Sequence, residues 1–408
     1  MIEAALRDIG LDLEGEAGLM LLAVAGPYAW RDGWFEDTST GAFSAAEAAL
    51  NAALARFGAP STADLVAELG LLGMAADVAE DFVKSRPGLR RFGDRWVRWG
   101  TSVADKAVAV LHVSGVPATA EMIAAAIGEN YHPRAVREAL YGDHRFARTT
   151  RRTWALREWG LDEYGGVFSE IVKRIDVAGG VIEVETVVAD MRTCFPDVAE
   201  ISVRTYLAAA PGFVTEGGMV RKRTAADGWP TVPPLRSVRR VFCNGRNEIR
   251  VALAVTRDLL RGSGQQVHPA VAAALGIHPG EHRLFSGPHG AIKLAWHLST
   301  TRGPSVGSLR ALAASVGAEL GDTVVLVFNL RDNAIDVARI TAGESPHCHL
   351  QALLGKPAQD PIPALARALD CRPHQVTSIL RDRGDNEVLE LIEHDFRLAQ
   401  KRTDLACG

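Results

Sequence analysis

Along the first half of the chain, apolar residues recur at helical spacing, interrupted roughly every sixty residues by a short stretch of different period. Between Asp105 and Val113, residues Ala107, Val108, Val110 and Leu111 fall on one helical face. Pro117 followed by Thr119 caps a second helix through Ile127, and Pro133 opens a third that runs to Leu140. The next segment, Arg145–Gly160, reads RFARTTRRTWALREWG. Phe146, Trp154, Leu156 and Trp159 are placed to anchor a hairpin on a helical core, while Arg148, Arg151 and Arg152 project from its strands and turn. The predicted order is helix, helix, helix, strand, strand.

That order recurs on both sides. Downstream, Val167–Val177 carries Val167, Ile171, Val172 and Ile175 on one face and stops at Gly179-Gly180. Helices follow at Glu183–Met191 and Ala199–Ala208, then a hairpin through Gly217-Gly218 into Met219–Arg223. Upstream, helices at Ser44–Phe57, Ser61–Leu69 and Met74–Ser85 precede the hairpin Leu89–Trp99. Repetition at this length predicts three tandem winged helix-turn-helix modules, at residues 43–100, 103–160 and 163–223. Residues 1–42 are expected to be an N-terminal helical segment. It holds an apolar helix at Ala17–Ala25 and an aromatic cluster, Tyr28, Trp30, Trp34 and Phe35, that fits no familiar module.

From Thr224 the pattern changes. TAADGWPTVPP has the Pro and Gly content of a linker (residues 224–235). Strands are then predicted at Val238–Cys243, Ile249–Val255, Ala291–Leu298, Thr323–Leu330 and Ala334–Ile340, the last two forming a hairpin around Arg331-Asp332-Asn333. Short helices interrupt them at Pro269–Leu275 and Gly307–Val316. A mixed, mostly-β domain (236–343) is expected to give way to a helical C-terminal tail (344–408), with helices at Pro361–Leu369 and His374–Arg381. The fold class is α+β and multi-domain.

At 408 residues and 47% hydrophobic content the chain can bury several cores, while its net charge of -4 excludes an evenly basic coat. Any contact with nucleic acid must rest on local patches. Five scattered cysteines (194, 243, 348, 371 and 407) are no disulfide framework and fit a reducing cytoplasm; DNA binding would add nucleoid association. The Ala17–Ala25 run is too short to span a bilayer, so no membrane partner is expected.

In a winged helix the third helix enters the major groove and the hairpin follows the backbone, so those elements are where cations matter. The second repeat offers Arg134 and Arg137 on its third helix and Arg148, Arg151 and Arg152 on its hairpin. The third offers Ser202, Arg204 and Thr205, then Arg221, Lys222 and Arg223. The first repeat is opposed to phosphate at its third helix by Asp77, Glu80 and Asp81, although Arg86, Arg90, Arg91, Arg95 and Arg98 crowd its hairpin.

The motif F-x-R-T-x-x-x-x-W-x-L-x-E-W at Phe146–Trp159 resembles the HARE helix-turn-helix domain, known from the delta subunit of bacterial RNA polymerase and from proteins linked to restriction and chromatin. The resemblance covers about 55 residues and implies a nucleic-acid- or polymerase-associated module. Farther on, VHPAVAAALGI, a strand containing Trp296 and the Gly321-Asp322 turn before a late strand resemble the pseudobarrel of the B-three DNA-binding family. That resemblance implies backbone contacts by Arg302, Arg310, Arg236, Arg239 and Arg240.

Catalytic chemistry is not legible. His347-Cys348-His349 lacks the further ligands of a tetrahedral site and is expected in a surface loop, RGSGQQ at Arg261–Gln266 lacks the ending of a phosphate loop, and no G-x-S-x-G is present. Carboxylates at Glu183-Glu185 and at Asp385, Glu387, Glu390 and Glu393 have the spacing of solvated helical faces. The sequence therefore predicts a non-enzymatic protein without cofactor or metal, binding double-stranded DNA as a transcriptional regulator or DNA-associated factor. The alternative is an adaptor that binds RNA polymerase or a restriction or defence partner.

Overall fold

Three times along the chain, three helices are followed by an antiparallel hairpin whose second strand pairs back onto the residues just ahead of the second helix. This recurrence organises the computed structural model, which describes residues 26–357 and 360–392 together with positions 20 and 24, in two units, 1–166 and 167–408. The expected apolar helix at Ala17–Ala25 falls almost wholly outside the described residues. The aromatic cluster after it is not helical: Tyr28–Arg31 (β1) and Trp34–Asp37 (β2) form a hairpin around Asp32-Gly33. The hairpin is tied to the first helical set, because Trp34 packs edge-on against Phe82 and the buried Glu36 carboxylate accepts the Phe43 N–H.

In the first unit, helices Ala42–Phe57 (α1), Thr62–Gly70 (α2) and Ala76–Ser85 (α3) lead to strands Leu89–Phe92 (β3) and Arg95–Arg98 (β4). Ser61 caps α2 in a reciprocal box with Asp64. It also bridges to Arg95. Phe43, Leu50, Leu54, Leu65, Phe82 and Trp96 close one core. The second set comes directly after: Val103–Ser114 (α4), Ala118–Thr119 (β5), Ala120–Ile127 (α5), Pro133–Gly142 (α6), Phe146–Arg148 (β6) and Thr153–Leu156 (β7), in the sheet order β5-β7-β6. Its core joins Leu111, Ile123, Val136 and Leu140 to Phe146, Trp154 and Leu156. The hairpin anchors predicted from sequence are therefore core residues, apart from Trp159, which packs half-buried at its margin.

The two sets share a smaller core of Ala59, Val97 and Ala109, flanked by Phe92, Trp99 and Val113. Trp96 and Val97 are adjacent in β4, so their side chains leave opposite faces of the hairpin, and both are buried. The β3–β4 hairpin thus has one face on its own helices and the other on α4.

The second unit opens with the third set: Val167–Val177 (α7), Val181–Glu183 (β8), Val184–Cys194 (α8), Glu200–Ala209 (α9), Phe213–Glu216 (β9) and Met219–Lys222 (β10), with the sheet order β8-β10-β9. The predicted linker has no regular structure, yet it is held at both ends. Asp227 accepts from the Thr224 N–H and from Arg221, and Val232 and Leu235 pack on the core of the following domain. The third set also touches that domain directly, through the Gly212 N–H donating to the Leu298 carbonyl at 3.0 Å.

Eight strands then form one sheet: Val241–Cys243 (β11), Glu248–Ala254 (β12), Gln265–Gln266 (β13), His282–Gly287 (β14), Gly290–Ala295 (β15), Ser305–Val306 (β16), Thr323–Asn329 (β17) and Ala334–Ile340 (β18). The order is β11-β12-β17-β18-β14-β15-β16-β13, and among the registered pairs only β14 with β18 is parallel. Helices Arg257–Arg261 (α10), Pro269–Ala274 (α11) and Arg310–Ser315 (α12) pack over one face with Ile249, Val251, Phe285, Leu326 and Phe328. Strand β14 and helix α10 were not anticipated. Asp322 is buried and structural: it caps the turn into β17 by accepting the Glu319 N–H and pairs with Arg339.

The last segment corrects the expectation of a helical tail. Pro346–Leu354 (α13), Pro361–Ala368 (α14) and Val376–Asp382 (α15) cover the other face of the sheet, where Leu350, Leu353, Leu365 and Leu380 meet Phe242, Ala252, Val325 and Ile340. In β17 the alternate residues Val324, Leu326 and Phe328 serve one core and Val325 the other. The unbroken apolar run VVLVF is what a strand covered on both faces requires. His347-Cys348-His349 lies in the first turn of α13 rather than in a loop, because Ser345 caps the helix there. Asp385, read as part of a solvated face, is buried against Arg383 at 2.5 Å. Asp360 and Ser345 each precede a proline at the start of a helix, so two local N-terminal signals mark a segment that tertiary packing makes part of the domain.

Candidate nucleic-acid interface

The second hairpin is built to present its tip. No glycine makes the turn; three threonines do. The Thr150 hydroxyl accepts the N–H groups of Arg152 and Thr153 and lies 2.8 Å from the Thr153 hydroxyl, which is itself 2.9 Å from that of Thr149. Arg151 and Arg152 extend from this turn, exposed, with no carboxylate among the described residues ion-paired to either. Arg152 is near enough to Glu121 to help lower that carboxyl's pKa, behind the helix N-terminal N–H and Thr119.

Arg148, one strand position in, does something else. Its guanidinium donates to the Arg151 carbonyl at 2.6 Å and sits 5.4 to 6.0 Å from the ring centroids of Tyr164, Tyr141 and Trp154. Half-buried among three rings, with Nε shut from solvent, it braces the hairpin, unlike the exposed Arg151 and Arg152 at the tip.

On α6, Arg134 and Arg137 are exposed as expected, but each is met by a carboxylate. Arg134 pairs with Glu138 at 3.0 Å and Arg137 with Glu121 at 2.7 Å. At the base of the hairpin Arg145 binds Asp143 and Asp105, and it holds the Asp143 carboxyl at about 2.

In the third set, each of the four predicted cations is taken up internally. Arg204 binds Glu185 through both terminal nitrogens at 2.8 and 2.7 Å and Glu200 through Nε, pairs that hold its guanidinium firmly protonated. Arg221 grips Asp227 at 2.6 and 2.7 Å, pulling that carboxyl well below the usual range. Lys222 pairs with Asp176, and Arg223 donates to the carbonyls of Pro211, Gly228 and Phe213. Ser202 is half-buried on α9. Arg204 thus ties two helices of the set together, Lys222 ties the hairpin to Asp176, and Arg221 and Arg223 fasten the hairpin to the 224–228 turn.

The first hairpin is the reverse case. Arg86 is the exception among its arginines, buried against Phe43 and Phe82. Arg90, Arg91, Arg95 and Arg98 are all exposed, and none is ion-paired to a carboxylate among the described residues. Their heads are positioned by neutral groups: Arg90 stacks 4.2 Å from the Trp99 ring, Arg91 donates to the Gly93 carbonyl, Arg95 to the Ala59 carbonyl and Arg98 to Asn51 Oδ1. The antiparallel register sets Arg91 and Arg98 toward one face and Arg90 and Arg95 toward the other, so they rim the hairpin. The only signal for this site was arginine density in LRRFGDRWVR.

In the β-rich domain Arg240 pairs with Glu387 and Arg239 lies near Asp385, while Arg302 and Arg310 are exposed without a carboxylate partner among the described residues. No group of His, Cys, Asp and Glu among the described residues could hold a metal ion, and no helix among them is long and apolar enough to cross a membrane. No protein-family model matches the chain, and no curated protein matches it in sequence.

Proposed function

We propose that this is a non-enzymatic DNA-binding protein in which residues 42–160 form two winged helix-turn-helix modules that grip the duplex backbone through their hairpins. The observation that carries this is the division of the arginines. Those on the third helices are neutralised by carboxylates, whereas Arg151 and Arg152 on one hairpin and Arg90, Arg91, Arg95 and Arg98 on the other are exposed and ion-paired to no carboxylate among the described residues. An arginine already 2.7 Å from a glutamate would bring that glutamate to the phosphate with it; an unpaired one brings only its charge. Contacts of this kind position a protein on DNA without reading bases. A cytoplasmic, nucleoid-associated factor of low sequence selectivity, acting in transcription, is the role that fits. Support also comes from the HARE-like motif, whose Phe146, Trp154 and Leu156 are buried as anchors. The third set then serves as a structural module bound to the β-rich domain, whose resemblance to a B-three pseudobarrel remains part of this proposal.

The test is the salt dependence of binding to a duplex of arbitrary sequence, followed by fluorescence anisotropy. Each phosphate neutralised adds about 0.9 to the slope of log K against log salt, so Arg151→Ala/Arg152→Ala should reduce the slope by about 1.8. Arg134→Ala/Arg137→Ala should leave it nearly unchanged. Binding without salt dependence, or a slope lost from the helix variant and kept in the hairpin variant, defeats the proposal.

One observation favours an adaptor role for the first module as well. Beside the acidic α3, Leu71, Leu72 and Val78 are exposed, Leu71 at 82%. An apolar patch with an acidic border suits a basic protein surface, such as one on RNA polymerase or a defence-system partner. Leu71→Asp should abolish such a contact without altering DNA affinity.

A further inference from the structure

The C-terminal helices do not seal the sheet completely. Between the β11–β12 turn and the end of α14 lies a cleft of ≈ 530 Å³. That is within the size range of small-molecule sites, about 300–1,000 Å³. Its apolar wall is made by Leu354, Pro363 and Ala364. Lys356, Arg367, Asp370, Asn244, Cys243 and Cys371 complete its lining.

Lys356 and Arg367 are exposed, and neither is ion-paired to a carboxylate among the described residues. Against the single carboxylate of Asp370 they leave the cleft with one net positive charge. Asp370 is also held in an unusual way. The end of α14 turns back through the Cys371 N–H donating to the Ala366 carbonyl at 2.9 Å, which requires a left-handed residue between them. At that position, φ +52°, an aspartate stands where glycine is usual. Burial pushes the Cys243 and Cys371 thiols up, so both are neutral at physiological pH and add no charge of their own.

We infer that this cleft is a binding site for a small organic monocarboxylate, its apolar body against the Leu354–Pro363–Ala364 wall and its carboxylate between Lys356 and Arg367. A single net charge favours a monoanion over a phosphate dianion, and the apolar wall favours an organic acid over an inorganic one. The site is independent of the DNA-binding reading, since it lies in the second unit and its test contains no DNA.

The cysteines supply the readout. Cys243 and Cys371 line the cleft, whereas Cys194 and Cys348 are exposed elsewhere and act as internal controls. The full chain is treated with a maleimide in the presence of octanoate, benzoate or inorganic phosphate, and labelling at each cysteine is followed by mass spectrometry. Saturating octanoate or benzoate should slow labelling of Cys243 and Cys371 about tenfold and leave Cys194 and Cys348 unchanged. Phosphate should not protect. Lys356→Ala/Arg367→Ala should lose the protection and Arg367→Lys, which keeps the charge, should retain most of it, with the melting temperature checked in each. Absence of protection, equal protection at these two pairs of cysteines, protection by phosphate alone, or protection that persists in the folded double variant would each overturn the assignment.

Discussion

Removing the Asp385 carboxylate should unfasten the C-terminal helices from the sheet. Asp385 and Arg383 side chains are both 1% exposed and 2.5 Å apart. The carboxylate also accepts the Arg240 N–H at 3.0 Å, and Arg240 is itself left-handed at φ +59°, a conformation this bond helps to hold. Arg383 in turn donates to the Val241 carbonyl at 2.9 Å and lies 4.8 Å from the Phe242 ring, so it joins α15 to β11. Asp385→Ala leaves a guanidinium buried with carbonyls and a ring but no counter-charge. Breaking a buried pair in this way costs about 3–5 kcal/mol. Because about 1.4 kcal/mol is a factor of ten, amide exchange protection over Val376–Asp382 should fall by roughly two to three and a half orders of magnitude, read by hydrogen exchange and mass spectrometry. Arg383→Met/Asp385→Leu, which removes both charges and keeps the volume, should recover most of the loss. A fall in protection below tenfold for Asp385→Ala would refute the reasoning, and the segment after 344 would then be the loosely attached tail that its sequence suggested.

Three further outcomes are expected in the first unit. Gly58 is left-handed at φ +67°, and a Cβ there would lie 2.0 Å from His112 Nδ1; Gly58→Ala should cost about 2–4 kcal/mol by urea titration, with His112→Ala recovering the overpacked part. Burial lowers the His112 pKa below its ordinary 6.5, Glu158 opposing only in part, so the folded state resists a proton that the unfolded state accepts. Stability from this group is therefore complete above about pH 6.5 and is lost as pH falls from there through the folded value; His112→Gln should flatten that part of a stability–pH profile, and an unchanged slope would count against the burial. Arg148→Ala should lower stability by about 1–3 kcal/mol through loss of the aromatic cage while leaving duplex affinity of the folded protein intact, a separation that anisotropy and calorimetry can resolve.

Much of the fold was legible because its signals are local. Ser61, Thr119 and Pro133 mark helix starts within one or two residues of those observed, and the strand Ala334–Ile340 matches its predicted bounds. The candidate site was less legible. Whether an arginine is free depends on carboxylates that the fold brings up: Glu121 reaches Arg137 and Glu185 reaches Arg204 from a neighbouring helix, at separations of 16 and 19 residues. Arg148 is set apart from Arg151 by three rings around its guanidinium, one of them Tyr164 from beyond the hairpin.

Period and capping chemistry in the sequence by themselves determined the three helical triplets, their hairpins and the change to strands after Thr224, since each depends on residues a few positions apart. Tertiary structure alone decided that the helices after residue 345 cover the second face of the sheet, that the third set's cations are taken up by internal pairs, and that the first hairpin keeps its arginines open. Those outcomes turn on charge pairing and two-sided burial between segments distant in the chain, and a carboxylate's reach across that distance is set by packing, which no local pattern encodes.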